Sequence, residues 1–126
     1  MNIVKLNINI LEFLALVPLL DLVGDAPFFL KGGVMRSLIW KQFKGVNQTI
    51  QDVDCFSSSI NLYLKVCEEG FDMELKEEGV SIKEVAKDHL ENVDCTLNKG
   101  CILVWRKNLW FFGDIKDILG ENGNEN

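Results

Sequence analysis

Two carboxylates separated by one residue, Asp52 and Asp54, and a glycine pair, Gly32 and Gly33, are the residues of this chain whose types and spacing suit chemistry. On an extended strand alternate side chains share a face, so Asp52 and Asp54 are predicted to point the same way, about 7 Å apart along the chain, with Val53 and Cys55 on the other side. Two hard carboxylate ligands suit Mg²⁺, which keeps its remaining positions for water and substrate phosphates. A pair of such ions can clamp the attacking and leaving oxygens of a phosphoryl or nucleotidyl transfer. Glycines lack a Cβ, so a phosphate can approach their backbone, and the start of a following helix adds unpaired N–H groups and the positive end of its dipole. The glycines are expected to hold a triphosphate and the aspartates its metal.

The elements that must position these residues are a strand, a turn, a helix and a second strand. Phe28 to Leu30 is an apolar run ending at the glycines. Val34 to Phe43 follows with Leu38, Ile39 and Phe43 spaced to bury one helical face. Gly45 to Thr49 is the expected link, and Ile50 to Phe56 the expected strand carrying the carboxylates. Arg36 falls in the first helical turn, where it can pair with phosphate or carboxylate, or lie on the surface.

The stretch Phe29-Leu-Lys-Gly-Gly-Val-Met-Arg-Ser37, with Asp52-Val-Asp-Cys55 one helix later, resembles the head domain of the nucleotidyltransferase superfamily as found in CCA-adding tRNA nucleotidyltransferases and bacterial poly(A) polymerases. Val93-Asp-Cys-Thr-Leu-Asn-Lys-Gly-Cys-Ile102 is similar to a later motif of that family, with Asp94, Thr96 and Asn98 at its spacing, and Leu109 to Leu119 to the segment closing the head. The resemblance runs from about Phe28 to Leu119. It implies an α/β (α+β) minimal nucleotidyltransferase fold, a small mixed sheet flanked by helices, and transfer of a nucleoside monophosphate to a hydroxyl with release of pyrophosphate. Asp52, Asp54 and Asp94 are then the expected catalytic residues, with Asp52 and Asp54 as ligands of a two-metal Mg²⁺ site. Gly32, Gly33, Arg36, Ser37 and Asn98 are the expected nucleotide contacts. Asp94 is either a third carboxylate of the metal site or, with Asn98, a ribose contact.

The chain also departs from the family pattern. Ser37 stands where the family has an acid, Asn92 and Val93 replace an arginine pair, Lys31 sits where an apolar residue is usual, and the helical domains that select the base and grip tRNA have no counterpart in these 126 residues. A non-catalytic derivative that binds a nucleotide or a protein partner, as in a toxin–antitoxin or phage–host contest, is the alternative expectation.

Composition sets outer limits. With 126 residues, 48% of them apolar, the chain is expected to form one domain over 1–119, with a polar, disordered tail over 120–126. A net charge of −6 is a poor footprint for holding nucleic acid by its phosphates, so an RNA acceptor is less expected than a small molecule or a protein. Lys99, Arg106 and Lys107 nonetheless make a local basic patch. Cys55, Cys67, Cys95 and Cys101 lack zinc-finger spacing and are read in a reducing cytoplasm; Cys55 and Cys95, each following an aspartate in an expected strand, read as small core hydrophobes. His89 receives no role.

Ile10 to Val23 reads as a buried helix, interrupted or kinked near Pro18, and its uncharged run from Phe13 to Leu20 is too short for a membrane span. Ser57-Ser-Ser59 offers an N-cap to a helix ending at Gly70. Phe71 to Lys76 alternates as a strand should, and 80–85 reads either as a strand or as the start of a helix capped by Ser81 and running through His89. Asp94 to Asn98, Cys101 to Trp105 and Leu109 to Phe112 read as strands, and Asp114 to Leu119 as a short helix. Trp40, Trp105 and Trp110 are taken as core or interface anchors, and a homo- or hetero-oligomer in which the partner recognises the acceptor is a further expectation.

Overall fold

The computed structural model describes residues 3–76 and 100–121. In chain order these form β1 (Ile3–Leu6), 3₁₀ turns at Ile10–Glu12 and Leu14–Leu16, α1 (Val17–Val23), β2 (Phe28–Lys31), α2 (Gly32–Lys44) and β3 (Asp54–Ser57). Then follow α3 (Ile60–Glu68), β4 (Glu74–Leu75), β5 (Cys101–Trp105), β6 (Asn108–Phe112) and α4 (Ile115–Leu119). The fold is mixed α+β. The six strands among the described residues make one sheet in the order β1-β6-β5-β2-β3-β4, antiparallel throughout except for the β3–β4 pair.

Alternation along the strands divides the sheet into two apolar faces. Phe28, Leu30, Cys55, Ile102, Val104 and Phe111 point to one side, where all four helices contribute their buried residues, among them Leu19 and Val23 of α1, Val34 and Leu38 of α2, Val66 of α3 and Ile118 of α4. Phe29, Phe56, Cys101, Leu103, Trp110 and Phe112 form a second cluster on the other side. There Phe29 and Phe56 stack at 4.8 Å between centroids, and the Lys76 ammonium sits 5.1 Å from the Phe56 ring. Trp110 belongs to this buried cluster and Trp105 packs at its margin, as anchors rather than open platforms.

The core strand, the glycine-headed helix, the Ser59-capped helix and the β5–β6 hairpin form where the sequence places them; Ser59 accepts from the Leu62 N–H, and Asp114 caps α4 through the Lys116 N–H. Three expectations are corrected. Ile10 to Val23 is interrupted rather than kinked, with two 3₁₀ turns before a short helix, because the Asn9 side chain accepts from the Leu11 N–H, Phe13 is extended, and Pro18, which tolerates only a first-turn position, falls in the first turn of α1. The strand expected from Ile50 begins only at Asp54, where pairing with Lys31 of β2 becomes available. Of Phe71 to Lys76 only Glu74–Leu75 pairs, along the outer edge of β3. The strands or helix expected over 80–89 and the strand Asp94–Asn98 lie outside the described residues, as do the end of the tail and Lys99. Among the described residues no helix is long and apolar enough to cross a membrane.

The hairpin turn between β5 and β6 is two residues long, and both adopt left-handed backbones, Arg106 at φ 51° and Lys107 at φ 67°. Such turns match the twist of the strands but suit Asn and Gly, and a side chain with a Cβ costs about 1 kcal/mol or more there. Lys107→Gly is expected to raise stability by about 1 kcal/mol, read as a shift of the urea midpoint with unchanged slope; a lower midpoint would mean that Lys107 makes contacts outweighing its backbone strain.

Candidate functional site

The central strand β2 delivers the chain directly into α2, and the junction is unusual for a helix start. Lys31 occupies the N-cap with no side-chain hydrogen bond to the helix, Gly32 and Gly33 follow, and no acidic residue stands in the first turn. A Ser, Thr, Asp or Asn cap is worth about 1 kcal/mol, a glycine inside a helix costs about 1 kcal/mol against alanine, and cations oppose the dipole at this end. Helix stability alone would select a different sequence here.

The two glycines answer to different causes. Gly32 has φ +66°, and a Cβ on it would stand 2.5 Å from Asp54 Oδ2 and 3.4 Å from the carboxylate carbon. Asp54 therefore lies directly against the first residue of α2, brought there by the β2–β3 register that pairs Lys31 with Asp54. Gly33 has an ordinary φ and no described residue within 4 Å of where a Cβ would be, so the described residues give no steric reason for glycine there.

Asp52 and Asp54 meet in one cleft of about 320 Å³. Gly33, Arg36 and Ser37 of α2 line it on one side, and Gln48, Thr49, Gln51 and Asp52 from the link between α2 and β3 on the other. Asp52 reaches it from that irregular link and not from the strand, yet the inferred facing holds in part: Val53 and Cys55 both pack into the helix-side core. Both carboxylates are exposed, and no described residue gives either a hydrogen bond or an ion pair. They also line a second cleft of about 490 Å³, whose far side carries Phe71 and Asp72.

The other expected contacts are partly engaged. Ser37 is buried and its hydroxyl donates to the Gly33 carbonyl at 2.9 Å, with Gln48 Oε1 3.4 Å away. Arg36 is exposed, lines the cleft and donates from Nη1 to the Ile118 carbonyl at the end of α4 at 3.5 Å, a weak contact that leaves most of its donors available. Asp94 and Asn98 lie outside the described residues. Among the described residues no three His, Cys, Asp or Glu side chains gather closely enough to hold a metal ion. Two carboxylates with no hydrogen-bond or ion-pair partner among the described residues fit a Mg²⁺ that keeps water and phosphate oxygens as its other ligands.

Beside the cleft, Lys31 forms a 2.8 Å ion pair with Glu74 across β3, and Lys76 lies 3.8 Å from the same oxygen. The Lys31 hydrogen bond lowers the Glu74 carboxyl below the ordinary glutamate range, and Glu74 in turn raises the Lys31 ammonium. Burial, followed by the nearby Asp54 charge, pushes the Cys55 thiol up to about 11, and it donates to the Asp72 carbonyl. Cys55 is thus a packed, unreactive thiol.

No family model, curated protein or solved structure matches this chain. What the cleft can do follows from its own residues. Of these, the aspartates, glycines, Arg36 and Ser37 were expected from sequence, whereas Gln48, Thr49 and Gln51 were read only as a link. Their signal, three polar side chains within four residues between an exposed helix end and a strand, is that of any surface loop.

Two outcomes are expected. Gly33→Ala should raise stability by about 0.5–1 kcal/mol, because an ordinary φ and open space let alanine reduce the freedom of the unfolded chain at no folded-state cost, whereas Gly32→Ala should lower it by at least as much; parallel urea melts check both. For the Lys31–Glu74 pair, Glu74 is depressed, so its contribution is present above its ordinary value of 4.5 and is lost as pH falls. The melting-temperature difference between the wild type and Glu74→Gln should be constant near neutrality and close below that pH; a difference that persists in acid would assign the effect to packing.

Proposed function

We propose that this chain is a Mg²⁺-dependent nucleotidyltransferase-like protein that moves a nucleoside monophosphate from a nucleoside triphosphate to a hydroxyl of a small molecule, protein or RNA. One observation carries the reading. Gly33 lies in the first turn of an uncapped, acid-free helix where no described residue excludes a side chain, and two carboxylates with no hydrogen-bond or ion-pair partner among the described residues line the same cleft. A bare, positively polarised backbone facing two carboxylates is the arrangement a metal–triphosphate complex needs, and the resemblance to the nucleotidyltransferase head domain points the same way.

In this reading the Gly32, Gly33 and Val34 N–H groups and Arg36 bind the β and γ phosphates. Ser37, whose hydroxyl proton is given to Gly33, is left only acceptor lone pairs and helps by way of water. Asp52 and Asp54 hold Mg²⁺, which when bound supplies charge neutralisation at the reacting phosphate. The hydroxyl oxygen bonds to the α-phosphorus as the bond to the bridging oxygen breaks, pyrophosphate leaves, and the hydroxyl proton passes to water. Asp94 and Asn98 are proposed to approach the sugar or the metal. Asp54 would be the rigid ligand, since its position is set by strand register, and Asp52, on an irregular segment, the more adjustable one. A cytoplasmic setting, where nucleotides, Mg²⁺ and reduced thiols coexist, completes the proposal.

Thermal shift with each ribonucleoside triphosphate, with and without Mg²⁺, tests it. A ligand at a hundred times its Kd stabilises by about 2.7 kcal/mol, worth several degrees in a domain of this size. That shift should require Mg²⁺ and disappear in Asp54→Asn with the fold intact. Pyrophosphate release separates transfer from binding alone. Stabilisation without release would favour the non-catalytic derivative; no shift with any triphosphate would remove the reading.

A further inference from the structure

One face of α2 carries Gly33, Ser37 and Lys41, each a turn of about 6 Å beyond the last. The first two line the cleft of Asp52 and Asp54, while Lys41 lines a neighbouring cleft, also of about 320 Å³, between α2 and the 3₁₀ turns. Phe13, Leu14 and Ile50 give this neighbour apolar surface, and Asn47 and Gln48 bring side-chain amides to its edge. Gln48 lines both clefts, with Oε1 3.4 Å from Ser37 Oγ, so the two adjoin at that residue.

We propose that this second cleft is the nucleobase subsite for the triphosphate whose phosphates lie at Gly32 and Gly33. The inference rests on the nucleotide reading above and adds where the base goes and which residues read it. A base needs apolar surface against its faces and a donor–acceptor pair against its edge. Phe13, Leu14 and Ile50 supply the first. Each amide offers a carbonyl acceptor beside an N–H donor, the pairing that base edges complement. Leu14 is 81% exposed, more than any other large apolar side chain among the described residues, and it stands on the rim of this cleft. From Gly33 to Lys41 the helix runs about 12 Å, comparable with the reach of an extended nucleotide from phosphates to base. Recognition of the base would thus be contained within this domain.

Calorimetric titration of the full chain with Mg²⁺–tripolyphosphate and with each Mg²⁺–nucleoside triphosphate separates this inference from the reading beneath it. Stacking and edge contacts should make at least one nucleotide bind about tenfold or more tighter than tripolyphosphate. Ala15→Trp, which fills the cleft from an exposed position, and Leu14→Glu, which spoils its apolar rim without touching the core, should each erase that advantage while leaving tripolyphosphate affinity unchanged. Gln48→Leu should flatten the preference among bases. Tripolyphosphate binding with no added affinity for any nucleotide, or an advantage that survives both Ala15→Trp and Leu14→Glu, would overturn the subsite and leave the phosphate site standing. Binding of neither tripolyphosphate nor any nucleotide would overturn both.

Discussion

The contact between Asp54 and Gly32 is the constraint on which the rest of this structure turns. A carboxylate rests against the first residue of a helix at a distance that excludes any side chain there. To hold it, β3 must pair with β2 in the register that sets Asp54 opposite Lys31, and α2 must leave the sheet with no intervening loop. The sheet beneath supplies that rigidity. β2 lies between β3 and β5, with Phe28, Phe29 and Leu30 fully buried, so the junction is anchored by a strand packed on both faces and paired on both edges.

The contact also has a modest interpretation, since a carboxylate beside a helix N-terminus complements the dipole and stabilises by about 0.3–1 kcal/mol. That accounts for Asp54 and for Gly32. It does not account for Gly33, for the missing cap or for Lys31 at the N-cap, which together cost more than the dipole interaction returns. Lys31 is held by Glu74 across the intervening strand, so its charge is fixed beside the cleft while the rest of the junction stays bare.

Much of this arrangement was legible in the sequence because it is local. The apolar run of Phe28 to Leu30, the glycine pair and the helical spacing of Leu38 and Ile39 each report on a few neighbouring residues, and Ser59 and Asp114 announce helix starts through side chains of one type. The edges of the sheet were less legible. Glu74–Leu75 pairs for two residues because only β3 offers it a partner, and Asp52 leaves the strand because β2 ends at Lys31. Such limits are set by the length of a neighbour far away in the chain. The walls of the clefts were hidden for the same reason: Gln48 matters because the 3₁₀ turns fold back beside it, and those turns were expected to be a helix.

The strand order has a kinetic consequence. Among the described residues β1 finds its partner in the distant β6, where Ile3 pairs with Phe112, and the central strand β2 waits for β5 to satisfy its second edge. Contacts so distant in sequence must offset the entropy of closing long loops before they contribute, which slows folding. During synthesis the helices and the β2–β3 pair can form early, but the sheet cannot close until its last strand has left the ribosome. Until then β1 has no strand to join, and β2 carries a buried-type apolar edge with nothing beside it, an edge open to pairing with other chains. Emergence of β5 and β6, rather than of any earlier segment, decides when this sheet can close.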